Sequence, residues 1–228
     1  MSSVFLKVCC ILSEAEAELA IAAGAAALGL VSKMPSGPGV IDEDTIASVV
    51  RAVGGRAETV LLTSETTSSA IAAQHARTGA SAIQLVDEVA QAELAALRHA
   101  LPRVRVVQVV HVEGPAAVGR AIAAAPLVDA LLLDSGVPGA AVPTLGGTGN
   151  THDWSVSAEV CRAVRVPVFL AGGLRPDNVV EAVAKVRPAG VDVCSGLRTN
   201  GALDPAKLGA FVRALTLRSG PFTDGIGA

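Results

Sequence analysis

The residues equipped for chemistry in this chain of 228 residues stand at the ends of apolar runs. The first such run ends Lys7-Val8-Cys9-Cys10. In a strand, successive side chains alternate, so Lys7 and Cys9 share one face and Val8 and Cys10 the other. A lysine turned into a packed interior needs an anionic partner, because an unpaired buried ammonium is costly. Asp192, in the run Gly190-Val191-Asp192-Val193-Cys194, is the natural candidate. Cys9 would then stand at a mouth as a nucleophile or proton-transfer group. The alternative is that both cysteines are small core residues. A second run, Asp129-Ala130-Leu131-Leu132-Leu133-Asp134, ends in a carboxylate placed for acid–base work or for capping. The 19 residues from Ser135 to Asp153 contain Gly146-Gly147-Thr148-Gly149, and long connections of this kind usually serve function. Gly147, Thr148 and Gly149 permit close backbone approach to a substrate. Two further turns read Ala171-Gly172-Gly173-Leu174 and Cys194-Ser195-Gly196-Leu197, suited either to holding an anion or simply to turning tightly.

These residues need a frame, and the apolar pattern supplies one. Short runs rich in Val, Leu and Ala predict strands at Phe5–Cys9, Ala27–Val31, Thr59–Leu62, Ala82–Val86, Val106–His111, Ala130–Asp134, Val168–Ala171 and Val191–Cys194. Ala-rich amphipathic stretches predict helices at Glu14–Ala23, Glu43–Val53, Ser68–Thr78, Ala90–Ala100, Pro115–Ala124, Ser155–Val164, Pro176–Val186 and Pro205–Leu215. Strands alternating with helices imply parallel βαβ units, and eight units in this length imply a single α/β domain, a closed (β/α)8 barrel, over residues 1–217 with a tail at 218–228. A doubly wound open sheet is the competitor, but the turn after the first strand lacks its glycines. Ser13 and Asp42 suit helix N-caps, and Glu16 has capping-box spacing from Ser13. Pro176 and Pro205, beside Asp177 and Asp204, fit first helical turns, and Gly24, Gly54 and Gly79 fit helix ends. In such a barrel, working side chains come from the C-terminal ends of strands. Barrels that take phosphorylated substrates bind the phosphate at the loops after the seventh and eighth strands, which here would use Gly172, Gly173, Ser195 and Gly196.

Composition excludes several classes of function. With 51% hydrophobic residues the chain is not disordered, and 18 basic against 21 acidic residues leave no footprint for nucleic acid. No apolar run is long enough for a membrane span, and the N-terminus has no signal-peptide pattern. Four cysteines, two of them adjacent, make no disulfide framework, so a cytoplasmic protein is expected. His75, His99, His111 and His152 show no metal-ligand spacing, and neither a metal nor another cofactor is expected. The composition suits a monomer or a homodimer equally.

Several segments, in this order, resemble phosphoribosylanthranilate isomerase, the barrel enzyme of tryptophan biosynthesis. They are Lys7-Val8-Cys9, Ala27-Leu28-Gly29-Leu30-Val31, Gln84-Leu85, Leu132-Leu133-Asp134, Gly146-Gly147-Thr148-Gly149 with Asp153-Trp154, Leu170 through Val179, and Gly190 through Gly196. The resemblance implies an Amadori rearrangement of N-(5'-phosphoribosyl)anthranilate to the 1-amino-1-deoxyketose phosphate. It assigns the general acid to Asp134 and the general base to Cys9. One group must begin protonated and the other must accept a proton, so their environments should push the two pKa values apart. Lys7, Gln84 and Asp192 would meet the substrate. The chain departs from the family pattern at four places. Cys10 follows the catalytic cysteine where the family usually has glycine. Gly39 stands where the family has an arginine that holds the anthranilate carboxylate. Val86-Asp87 replaces His-Gly, and His152 replaces phenylalanine. Lys33, in the same loop as Gly39, could supply charge but not a bidentate fork. The sequence therefore also admits a barrel enzyme, or a non-catalytic binding module, for a different phosphorylated sugar.

Overall fold

The computed structural model describes residues 4–35, 37–136 and 152–217. Each apolar run forms a short strand and each Ala-rich stretch the helix that follows. The order is β1 (Phe5–Val8), α1 (Glu14–Ala22), β2 (Ala27–Val31), α2 (Glu43–Val53), β3 (Glu58–Thr63), α3 (Ser68–Thr78), β4 (Ala82–Leu85) and α4 (Gln91–Ala100). It continues with β5 (Arg105–His111), α5 (Ala116–Ala124), β6 (Ala130–Asp134), α6 (Trp154–Ala163), β7 (Val168–Leu170), α7 (Val179–Val186), β8 (Gly190–Val193) and α8 (Pro205–Leu217). Between β8 and α8 lie a 3-10 turn, Ser195–Leu197, and a small antiparallel pair, β9 (Arg198–Thr199) and β10 (Ala202–Leu203). The eight long strands close into a parallel barrel in sequence order, β8 pairing with β1. This is the (β/α)8 architecture that the alternation predicts. The expected tail at 218–228 lies outside the described residues.

Strand alternation divides the apolar residues into two packed layers. Outward-facing side chains such as Val8, Leu28, Leu61, Ile83, Leu131 and Val191 meet the helices in one large cluster. Inward-facing Ala27, Val60, Ala82, Val107, Ala130, Leu132 and Phe169 fill the barrel in a second. Near the bottom the rings of Phe5 and Phe169 meet edge to face, with centroids 5.3 Å apart. Gly190 makes room for them: a methyl group there would lie 2.7 Å from the Phe169 ring. The small inward residues thus let two aromatic rings close the floor, leaving space only at the C-terminal mouth.

Helix starts follow their caps with two corrections. Asp42 accepts the Thr45 N–H at 2.7 Å, and Asp204 accepts from Ala206 at 2.8 Å ahead of Pro205, as predicted. Pro176, however, precedes α7 by a turn rather than opening it. Asn178 accepts the Arg175 N–H at 2.8 Å and donates to the Gly173 carbonyl at 2.9 Å, so these residues brace the loop after β7 and the helix begins at Val179. Asp177 pairs with Arg175 instead of capping. Ser13 caps α1 as predicted, its Oγ accepting the Glu16 N–H at 3.3 Å, but the return half of the box is not made: the Glu16 carboxylate accepts from Leu12 N–H and pairs with Arg198.

Candidate active site

The closing seam of the barrel builds the deepest part of the site. Pairing of β1 with β8 sets Lys7 directly opposite Asp192. Both are buried, at 4% and 6% exposure, and the Lys7 ammonium donates to Asp192 Oδ2 at 2.7 Å and to Gln84 Oε1 at 2.9 Å. Burial works against the charge on Lys7, but the Asp192 carboxylate outweighs it and holds the ammonium above its ordinary range. The same Nζ lies 3.7 Å from Cys9 Sγ, where it can meet negative charge developing on sulfur. Among the described residues Asp192 Oδ1 has no partner, leaving one buried acceptor for a ligand.

Cys9 and Asp134 line one cavity that opens at the C-terminal mouth of the barrel. The Cys9 backbone continues the β1 pairing through its N–H to Val193 O at 2.9 Å. Its thiol sits over Gly29 of β2, where a methyl group would lie 2.6 Å from Sγ. Asp134 ends β6 and is nearly enclosed. Burial pushes its carboxyl up, the nearby Asp192 adds to this, and the Ser135 N–H, donating to Oδ1 at 2.7 Å, opposes it. A carboxyl group in that state can hold a proton for delivery.

The third part of the site is the rim made by the loops after β7 and β8. Gly172 and Gly173 both adopt left-handed backbone, φ +80° and +61°, and with Ser195 they line the cavity. Gly196 does not line it. It lies directly beneath the Leu174 carbonyl, where a methyl group would come within 2.0 Å of the oxygen. Gly196 therefore packs the two loops against each other, and the other three present the surface.

Cys10 is the clearest departure from expectation. Alternation sends it outward with Val8, but its φ of 63° turns the backbone over and brings the thiol into the mouth beside Cys9. Its thiol donates to Pro38 O at 3.6 Å, and the neighbouring Cys194 and Cys9 thiols together with burial push its pKa up. Arg198 secures the reversed turn. It donates to the carbonyls of Cys9 and Cys10 while pairing with Glu16 at 3.1 Å. Neither role was legible in the sequence; the one hint was a lone arginine just past the eighth strand.

Of the sequence-based candidates, the fold brings together Lys7, Cys9, Gln84, Asp134, Gly172, Gly173, Asp192 and Ser195, with Gly196 behind the rim. Lys33 is exposed and outside the cavity lining. Gly147, Thr148 and Gly149 lie outside the described residues. His111 is buried away from this lining, its Nε2 3.0 Å from Val86 O. Among the described residues, no three His, Cys, Asp or Glu side chains are arranged to hold a metal ion, and no helix is long and apolar enough to cross a membrane.

The Gly29 contact makes a direct prediction. Gly29→Ala should displace the Cys9 thiol, cutting kcat by about tenfold to a hundredfold, the scale expected when a reacting group moves by an ångström. Steady-state kinetics beside a thermal melt would check it; an unchanged kcat would show that the thiol position is not critical.

Comparison with known proteins agrees with this geometry. Residues 6–214 match the family described as N-(5'phosphoribosyl)anthranilate (PRA) isomerase. The chain is 37% identical over 226 residues to N-(5'-phosphoribosyl)anthranilate isomerase of Haloferax volcanii, covering 96% of both chains. It is 33% identical to the Methanothrix thermoacetophila protein of that name, covering 91% of this chain and 96% of the relative. Among solved structures, the phosphoribosyl anthranilate isomerase of Thermococcus kodakaraensis superposes with TM-score 0.77 at 30% identity, over 95% of this chain and all of the other. That of Thermotoga maritima superposes at 0.80 with 26% identity, over 93% and 98%. A match spanning nearly every strand and helix of the barrel places this chain in the N-(5'-phosphoribosyl)anthranilate isomerase family.

Proposed function

We propose that the chain catalyses the family's Amadori rearrangement with Asp134 as general acid and Cys9 as general base. The single observation that carries these roles is that a buried carboxyl and a thiol beside an ammonium line one cavity with a glycine-rich anion rim. The sugar phosphate is held at Gly172, Gly173 and Ser195, whose backbone N–H groups are the available donors. Asp134 protonates the ring oxygen, the bond from that oxygen to C1 breaks, and the amine nitrogen and C1 form a Schiff base. Cys9 then removes the C2 proton, giving an enolamine. C1 takes a proton and the C2 hydroxyl loses one as the enolamine becomes the ketone, so no proton is consumed overall. Lys7 meets the charge on sulfur, and the free Oδ1 of Asp192 accepts from a sugar hydroxyl. The place of this reaction in tryptophan biosynthesis supports a cytoplasmic location.

Two measurements test the reading. Purified protein should convert N-(5'-phosphoribosyl)anthranilate to 1-(2-carboxyphenylamino)-1-deoxyribulose 5-phosphate, and the gene should rescue a tryptophan auxotroph lacking this isomerase. No conversion and no rescue from soluble, folded protein would refute the activity.

A further inference from the structure

With the phosphate at the β7–β8 rim and the reacting carbons between Cys9 and Asp134, one wall of the cavity remains for the ring carried by the amine. That wall is made by Cys10, Val31, Met34, Pro38, Leu62 and Val86. It presents a thiol, a thioether and hydrocarbon, and no charge.

Its character is enforced by one contact. Gly39 has a left-handed φ of +79°, and a methyl group there would lie 2.4 Å from Cys10 Cβ and 3.0 Å from Cys10 Cα. Those atoms belong to backbone and to the first carbon of a side chain, so no rotamer change relieves the clash. Positions 10 and 39 therefore exclude each other: while Cys10 carries its thiol, nothing longer than hydrogen fits at 39, and no cationic side chain can enter from there. Among the described residues the other basic groups around the mouth are committed elsewhere. Lys7 is held by Asp192 and Gln84, and Arg198 by Glu16 and three carbonyls. Arg175 pairs with Asp177 outside, and Lys33 is exposed beyond the lining. The stretch 137–151 contains no lysine, arginine or histidine.

A carboxylate pressed against this wall gives up water and gains no cation, which is unfavourable. An uncharged ring gains apolar contact and a sulfur–aromatic contact with Met34. We infer that this pocket selects N-(5'-phosphoribosyl) derivatives of uncharged aromatic amines at least as well as the anthranilate derivative. The inference rests on the isomerase reading for the orientation of the substrate and deepens it by naming the aglycone class.

Two inert mimics decide it: reduced 1-(phenylamino)-1-deoxyribulose 5-phosphate and its 2-carboxyphenyl counterpart, each titrated calorimetrically into the wild-type protein. The expected result is a carboxyl-free mimic binding as tightly as the carboxylated one or up to about tenfold tighter. A preference of more than about threefold for the carboxylated mimic would overturn the inference. In a Cys10→Gly, Gly39→Arg double variant the ratio should swing toward the carboxylated mimic by roughly 10- to 100-fold, the scale of a charge-assisted hydrogen bond. A folded double variant with an unchanged ratio would overturn the steric argument; if it does not fold, the wild-type ratio decides alone. Turnover of the two phosphoribosylamines is measured separately. Absence of both turnovers, with the binding ratio as expected, would refute the isomerase reading and leave the character of the wall standing.

Discussion

Asp134→Asn should lower kcat by roughly 10^3-fold and leave the affinity for a product mimic within a few-fold of wild type. Asparagine keeps the size and the hydrogen bond to the Ser135 N–H but carries no transferable proton. General acid catalysis contributes about 10^2- to 10^4-fold, and ring opening cannot begin without a proton on the departing oxygen. Cys9→Ala should cause a loss of the same order at the next step. The pH dependence sharpens the assignment. Asp134 acts as an acid, and burial holds its pKa up, so wild-type kcat should fall as pH rises through that raised value. In Asp134→Asn this alkaline limb should vanish from the residual activity. The stability effect has the opposite sense to the loss of activity. A carboxyl whose folded pKa is raised binds more protons folded than unfolded, so its contribution is complete below the unfolded value and is lost as pH rises through the folded one. The asparagine variant escapes that loss and should melt at or above the wild-type temperature at neutral pH. Full activity in the variant, or a retained alkaline limb, would remove Asp134 from the acid role.

Lys7→Met should destabilise the barrel by about 3–5 kcal/mol, the usual cost of leaving one member of a buried ion pair alone. For a chain of this size that corresponds to a fall in Tm of roughly 10 °C. The severity follows from Asp192, which among the described residues already has one oxygen without a partner and would then lose the ammonium from the other. Adding Asp192→Leu should restore most of the Tm, because a matched apolar pair avoids the desolvation that the ions incur. Activity should not return, since the cation near Cys9 Sγ and the free acceptor are both gone. Because Lys7 has its folded pKa raised, its contribution to stability is complete below the unfolded lysine value and is lost only as pH climbs through the higher folded one. Wild-type and variant melting temperatures should therefore converge only at strongly alkaline pH. A single variant as stable as wild type would show that the pair does not hold the seam.

The architecture could be read from the sequence because it is written in local periods: eight apolar runs, each followed by an amphipathic stretch, admit few topologies. The Lys7–Asp192 pair was legible for the same reason, since strand parity gave the facing side and barrel closure gave the neighbour. Cys10 was not. Strand parity assumes extended backbone, and nothing in a cysteine side chain announces a left-handed φ. Arg198 and Glu16 stand 182 residues apart and meet only because the chain closes on itself, so local spacing read Glu16 as a cap. Pro176 misled because proline suits both a first helical turn and the turn before it. The bonds from Asn178 decide between these, and they exist only once the loop has its shape.

The seam also bears on how the protein comes into being. Lys7 leaves the ribosome 185 positions before its counter-ion. For most of translation the nascent chain carries an orphan cation in a segment destined to be dry, and its growing sheet has two raw edges. Consecutive strands can pair as they emerge, but the β1–β8 pairing is non-local and is the slow step to form. Only when β8 docks on β1 do the ammonium gain its partner and the barrel lose its last open edges.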